Sequence, residues 1–122
     1  MRVLAIRGAT TVSSNTKEEI LKESAVLIKE IIDKNKLDTD DIISIYFTMT
    51  KDLDKVYPAV AVREILNITD VPLLNFEEKY IEGSLKKCIR AMMYINSNKN
   101  KKDIKHIYLN KSKVLRKDIL MK

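Results

Sequence analysis

The fold of this chain starts from RVLAIRGA at residues 2–9, an imperfect alternation rich in Val, Leu and Ile. This composition predicts a buried β-strand. The segment that follows has Thr16 and Glu19 at the spacing of a capping box, and then Ile and Leu at helical intervals. We therefore expect an amphipathic helix over residues 17–35 that can cover one face of a sheet.

Further strands are predicted at residues 42–49, 71–76 and 104–109, where β-forming residues stand between polar turns. Pro58 suits the first turn of a short helix that runs to about Leu66. No firm pattern follows residue 110, where we expect a mobile C-terminal tail. The alternation of strands and helices predicts an α+β fold, and the sheet face that the long helix does not cover predicts an oligomer.

The run at residues 85–95 fits two structures. Its apolar residues have helical spacing, whereas CIRAMMYI, residues 88–95, also suits a buried strand. Periodicity alone does not distinguish a short buried strand from a buried helical segment.

Composition narrows the class of protein. A chain of 122 residues with 45% hydrophobic and 33% charged residues predicts one domain, residues 1–122, with a core of its own. No apolar run approaches the roughly 20 residues of a membrane helix, so no membrane partner is expected. The single cysteine, Cys88, rules out an internal disulfide and a multi-cysteine zinc site. A reducing cytoplasm is the expected location.

The formal net charge of +6 comes largely from lysines in the last quarter of the chain. These lysines are not interleaved with aromatic residues, and no RNA-binding pattern is present. A solvated basic surface, with no nucleic-acid partner, is therefore the favoured interpretation. Such a surface can still steer an anionic small molecule toward its site.

Arginine is scarce in a chain that otherwise uses lysine, which draws attention to each arginine present. The guanidinium grips a carboxylate or phosphate through two bonds, which the lysine ammonium cannot do. Arg90 stands inside an apolar run, so it needs a partner anion when it is buried. That anion is either a carboxylate such as Glu64 or Glu78, or a ligand.

Familiar catalytic arrangements are missing from the sequence. His106 is the only histidine and is expected to be structural, and Cys88 is expected to be a small core residue. With only Gly8 and Gly83, the chain has no phosphate-binding glycine motif. If the chain is an enzyme, we expect it to bind an anion and stabilise charge, with no metal and no cofactor.

Four segments together resemble the monofunctional, trimeric chorismate mutases of the Bacillus type: IRGATTV, YPAVAVRE, GSLKKCIRAMM and HIYLNKSKVLRKDI. The resemblance runs from about residue 2 to residue 119. It implies a small mixed sheet with helices outside, a strand at about 87–95, and a homotrimeric pseudo-α/β barrel with sites between subunits. It also implies the pericyclic conversion of chorismate to prephenate, which moves no proton and needs no nucleophile.

The resemblance also implies roles for individual residues. Arg90 would meet the ether oxygen and a carboxylate, Glu78 the ring hydroxyl, and Arg7 with Tyr108 the side-chain carboxylate. The remaining substrate-binding candidates would complete the site from a neighbouring subunit or from the tail, and they are Tyr57, Arg63, Leu74, Asn75, Leu115 and Arg116. This chain departs from the family pattern at Tyr57, Val60, Leu74 and Asn75.

Two other functions compete with this one. A related trimeric fold acts on other small acids, as in imine or enamine deaminases, but the IRGATTV start and the Glu78 and Arg90 pair argue against it. A basic nucleic-acid-binding module would show salt-dependent binding to mixed DNA or RNA.

Overall fold

The computed structural model describes residues 1–115. Two α-helices and a five-stranded sheet account for most of this part of the chain, together with short 3-10 turns at Thr39–Asp41, Lys101–Asp103 and Asn110–Leu115. No helix in the described part is long and apolar enough to cross a membrane. In chain order the elements are β1 Arg2–Thr11, α1 Lys17–Lys34, β2 Ile42–Met49, α2 Ala59–Glu64, β3 Leu73–Glu77, β4 Cys88–Ser97 and β5 Ile107–Tyr108.

The sheet is mixed, with the strand order β3-β2-β4-β1-β5. The central strand β4 runs antiparallel to both β1 and β2, while β3 and β5 extend the sheet in parallel with β2 and β1. The segment that periodicity left open is therefore a strand. In this register Arg90 stands between Ala9 of β1 and Thr48 of β2.

The long helix begins where the sequence predicts, but with only half of the capping box. The hydroxyl of Thr16 accepts a hydrogen bond from the backbone N–H of Glu19 at 3.2 Å. In a full capping box the side chain of Glu19 would accept a hydrogen bond from the backbone N–H of Thr16. Here that N–H donates instead to the carbonyl of Ser14 at 2.9 Å. One orphan amide of the helix is thus satisfied by the cap, and the acidic first turn favours the positive end of the helix dipole.

The hydrophobic core lies between one face of the sheet and the two helices. Ile6, Phe47 and Met93, from three adjacent strands, belong to one core cluster with Ile28 of α1, and all four residues are fully buried. Gly8 permits this close approach, because a Cβ built there would lie 2.8 Å from Cδ1 of Ile31. The alternation of the strands then places the residues between them, Arg7 and Arg90 included, on the opposite face.

Neither helix of residues 1–115 covers that opposite face, which is called the uncovered face below. Tyr46 stacks edge-on with Tyr94 at 5.7 Å between ring centroids and lies 6.2 Å from the ring of Phe76. Phe76 and Leu74 remain about half exposed. A contiguous apolar surface of this kind is typical of a protein interface.

The end of the chain differs in detail from the prediction. The last strand covers Ile107–Tyr108 rather than 104–109. The first part of the expected tail, Asn110–Leu115, forms 3-10 turns against β1. The buried hydroxyl of Ser112 donates to the carbonyl of Ala9 at 2.9 Å, which ties this segment to the sheet. Mobility of the tail stays a prediction.

Candidate active site

A cleft of about 420 Å³ opens on the uncovered face of the sheet, where β1, β2, β4 and β5 lie side by side. Four residues that the sequence analysis selected lie together in it: Arg7, Glu78, Arg90 and Tyr108. Three of them come from different strands, and Glu78 follows directly after β3. The other lining residues are Gly8, Ala9, Tyr46, Thr48, Lys79, Ile81, Ala91 and Met92.

Arg90 and Glu78 form the centre of the cleft. Arg90 Nε lies 2.9 Å from Glu78 Oε1, and the two side chains are 34% and 22% exposed. The N–H of Nε nevertheless has no hydrogen-bond partner of acceptable angle among the described residues, although the atom is buried. The contact is therefore an ion pair rather than a directed hydrogen bond. Of the two internal carboxylates that the sequence offered, Glu78 is the partner.

Tyr108 brings a second unpartnered polar atom to the same cleft. Its side chain is 7% exposed, and its hydroxyl is buried with no hydrogen-bond partner among residues 1–115. Burial raises the pKa of this phenol above 10, and the positive charges of Arg7 and Arg90 oppose the rise. The hydroxyl therefore remains protonated at neutral pH and can donate to an anion.

Arg7 is held at the cleft by the pairing of β1 in the sheet and by a hydrogen bond from its backbone to His106. Its N–H donates to Nδ1 of His106 at 2.9 Å, and its side chain is exposed to the cleft. Burial and the charge of Arg7 lower the pKa of His106 below 6.5. His106 is therefore a structural residue at the edge of the site, as expected.

Cys88 is a core residue, as predicted. Burial raises the pKa of its thiol to about 11, which leaves no thiolate for nucleophilic chemistry near neutral pH. Among the described residues, no three His, Cys, Asp or Glu side chains come together in a way that could hold a metal ion.

Five of the six remaining candidates do not line this cleft. Tyr57 is 60% exposed and lines a second cleft together with Asn75. Arg63 and Leu74 are exposed, and Leu115 is half-buried in the last 3-10 turn. Arg116 lies outside the described residues.

Asn75 has a structural contact that the sequence did not reveal. Its Oδ1 accepts a hydrogen bond from the backbone N–H of Ala59 at 3.1 Å, so β3 is joined to the start of α2. Because its oxygen is engaged, the amide nitrogen of Asn75 is the group left to donate to another partner. The segment so fixed carries Tyr57 and Arg63.

Thr48 is a cleft residue that the sequence analysis passed over. Its hydroxyl donates to Glu78 Oε1 at 3.0 Å. Threonine is common in strands because of its β propensity, so its presence at position 48 gives no hint of a contact with Glu78. The available signal was its position two residues after Tyr46, which places both on the same face of β2.

Comparison with known proteins places these residues in a family context. The family model described as chorismate mutase type I matches residues 3–119. The chain is 41% identical over 119 residues to the chorismate mutase AroH of Bacillus subtilis (strain 168), which covers 98% of this chain and 94% of the relative. It is 33% identical over 118 residues to the chorismate mutase AroH of Thermus thermophilus, with 96% of each chain covered.

A solved structure agrees with the fold as well as with the sequence. The chorismate mutase from Clostridium thermocellum superposes with a TM-score of 0.89 at 56% sequence identity. The match covers 91% of this chain and 98% of that structure. The similarity therefore extends over the sheet and the strands that line the cleft.

Proposed function

The chain belongs to the type I chorismate mutase family and is an isomerase that converts chorismate to prephenate; from this premise we propose that the Arg90 cleft is where the rearrangement occurs. One observation carries the assignment. Arg90 Nε and Tyr108 Oη are both buried in this cleft without a hydrogen-bond partner among the described residues. Buried polar atoms normally have partners, so two such donors facing one cavity call for an anionic ligand.

Binding would begin with the carboxylates of chorismate. Arg7 and Tyr108 approach from β1 and β5, and together they offer a cation and a hydroxyl donor to the side-chain carboxylate. Holding this carboxylate folds the side chain over the ring, which places the bond-forming carbons near each other. The entropy cost of reaching this conformer is then borne at the binding step, which lowers the activation free energy of the rearrangement.

Rate enhancement would come mainly from Arg90. As the C–O bond breaks, the ether oxygen gains negative charge, and a fixed guanidinium binds that charge more tightly in the transition state than in the ground state. Removing one preorganised donor of this kind typically costs about 3–4 kcal/mol of the activation free energy. The backbone of Arg90 is fixed on both sides by β1 and β2, which suits a preorganised charge.

Glu78 would act on the ring. It would accept a hydrogen bond from the ring hydroxyl and offset the electron deficiency that develops as the bond breaks. Its ion pair with Arg90 keeps both charges in the cleft before substrate arrives. The rearrangement is unimolecular, and every proton stays in place.

A second subunit would complete the site. Tyr57 and Asn75 line a separate cleft of the same chain, and the exposed residues Arg63 and Leu74 do not line the cleft of Arg90, so these residues would serve the site of a neighbour. The exposed apolar face around Tyr46 and Phe76 offers the surface on which copies would meet. These features support a homotrimer with sites between subunits.

The tail and the location complete the proposal. Leu115, at the end of the 3-10 turns on β1, would begin a segment through Arg116 that closes over bound substrate. A lone buried cysteine fits a reducing compartment, and we place the enzyme in the cytoplasm.

Turnover of chorismate by the purified protein tests the site directly. The loss of chorismate absorbance, with prephenate identified as the product, should occur in the intact protein and fall close to background in Arg90→Ala. Arg2→Ala is the matched control, because Arg2 contacts the carbonyl of Lys99 and the amide oxygen of Asn100, away from the cleft. Full activity in Arg90→Ala would show that this cleft is not the active site.

A further inference from the structure

Thr48 lies beside the ion pair of Arg90 and Glu78 and contacts one of its two members. It lies on β2 directly across from Arg90 of β4, and both side chains point to the uncovered face. Its hydroxyl donates to Oε1 of Glu78 at 3.0 Å. The same oxygen lies 2.9 Å from Arg90 Nε.

Both contacts therefore fall on one oxygen of the carboxylate. Oε1 of Glu78 accepts a hydrogen bond from the hydroxyl of Thr48 and faces Nε of Arg90, while Oε2 accepts no hydrogen bond from residues 1–115. An ionised carboxylate has about four acceptor directions on its two oxygens. One oxygen is thus committed to the protein, and the other is left for a donor that enters the cleft.

The backbone alone does not fix this arrangement. Glu78 follows β3 and starts an irregular loop, and its N–H is held by the carbonyl of Met49 at 2.8 Å. Beyond that point a Glu side chain has three torsions. Left unrestrained, its carboxylate can turn both oxygens onto the guanidinium, since Arg–carboxylate pairs favour the two-bond geometry. Such a pair would compete with an anionic substrate for Arg90.

We propose that Thr48 is a positioning residue for the rearrangement, whose hydroxyl holds Glu78 so that one carboxylate oxygen serves Arg90 and the other meets the ring hydroxyl of the substrate. The inference rests on the proposed site, because Glu78 and Arg90 must both act there. Thr48 itself need not touch the substrate. Its contribution is to keep Glu78 from turning both carboxylate oxygens onto the guanidinium of Arg90.

The competing interpretation is that Thr48 is only a strand residue. Threonine and valine have nearly the same shape and both favour strands, so Thr48→Val removes the hydroxyl and little else. If the residue were only structural, this variant would keep its kinetics. Thr48→Ser restores a hydroxyl at the same Cβ and tests for rescue, and Thr48→Ala gives a second way to remove it.

The experiment measures kcat and KM for the intact protein, for Thr48→Val, Thr48→Ala, Thr48→Ser and Glu78→Ala, and for the double variant Thr48→Val/Glu78→Ala. We expect Thr48→Val to lose about tenfold in kcat/KM, the size of one hydrogen bond to a charged group. Thr48→Ser should recover most of this loss. In the Glu78→Ala background, Thr48→Val should change kcat/KM less than twofold, because the group that it positions is gone.

The outcomes separate this inference from the site on which it rests. Normal kinetics in folded Thr48→Val and Thr48→Ala, with Glu78→Ala impaired, would overturn the positioning role and leave the site intact. Additive losses in the double variant would overturn it too. Full activity in Glu78→Ala would instead overturn the role of Glu78 in the proposed site, and the positioning role with it.

Discussion

Nδ1 of His106 accepts a hydrogen bond from the backbone N–H of Arg7 at 2.9 Å. An accepting Nδ1 carries no proton, so His106 is neutral in the fold and its proton lies on Nε2. This bond joins the segment before β5 to the strand that carries Arg7. The only histidine of the chain thus fixes the backbone of Arg7 beside the site.

This bond predicts a loss of stability in mild acid. Burial, with the charge of Arg7, lowers the pKa of His106 below the 6.5 of an unfolded chain, so the unfolded chain binds more protons between these two pKa values. The contribution of neutral His106 is complete above pH 6.5 and is lost as the pH falls through the folded pKa. His106→Asn keeps an acceptor that does not titrate. Urea unfolding from pH 7 to pH 5 should show a smaller decline for this variant, and equal declines would contradict the prediction.

Catalysis should be insensitive to pH above neutrality. The rearrangement transfers no proton, and the three groups with shifted pKa values near the cleft titrate outside this range. His106 lies below 6.5, Cys88 at about 11 and Tyr108 above 10. We expect kcat to vary less than twofold from about pH 7 to pH 9 at constant ionic strength, on the pKa order above. An ionisation inside this window would contradict the prediction, because it would show that the rate depends on the protonation state of a group that titrates there.

Arg90→Lys separates binding from charge stabilisation. Lysine keeps the positive charge but cannot present donors in one fixed plane. If Arg90 meets the ether oxygen, kcat should fall by at least about a hundredfold, because one such donor usually contributes 10²–10³ in rate. Arg2→Lys, at the far end of the same sheet, is the control and should keep its kcat. A raised KM with unchanged kcat would assign Arg90 to binding alone.

Asn75→Ala should weaken the start of α2. The variant leaves the N–H of Ala59 without its side-chain acceptor, a loss that typically costs about 1 kcal/mol at a helix N-terminus. Asn75→Asp retains an acceptor oxygen and is the matched control. Unfolding must be compared at equal protein concentration, because the stability of an oligomer depends on it. Equal unfolding of the alanine and aspartate variants would show that the contact contributes nothing.

Complementation tests the shared site. Arg90→Ala and Arg63→Ala should each be poorly active alone, because each removes a different half of every site. Mixing the two chains after dissociation should restore part of the activity, since some interfaces then combine an intact Arg90 with an intact Arg63 from another chain. Sedimentation should give a trimer. Full activity in a monomer at nanomolar concentration would contradict this arrangement.

Local patterns predicted most of the elements. The run at residues 2–9, the cap at Thr16 and the strand at 42–49 all appear with nearly the expected bounds, because propensity and hydrophobic period agree there. The strand Cys88–Ser97 required the family resemblance, since apolar residues stand on both of its faces, Met92 and Tyr94 on one and Met93 and Ile95 on the other, and leave no period of two. The last strand is shorter than predicted because it pairs with β1 at only two positions.

For the site as well, the sequence indicates part of the arrangement and the tertiary structure decides the rest. The scarcity of arginine and the position of Arg90 in an apolar run are properties of the sequence, and by themselves they indicate a charged site. The ion pair of Arg90 with Glu78, the contact of Thr48 with Glu78, and the Tyr108 hydroxyl that has no partner within residues 1–115 depend on residues distant in sequence that the sheet brings together. Side-chain chemistry and local period are written in the sequence, whereas distances between strands arise only when long-range pairing sets the register.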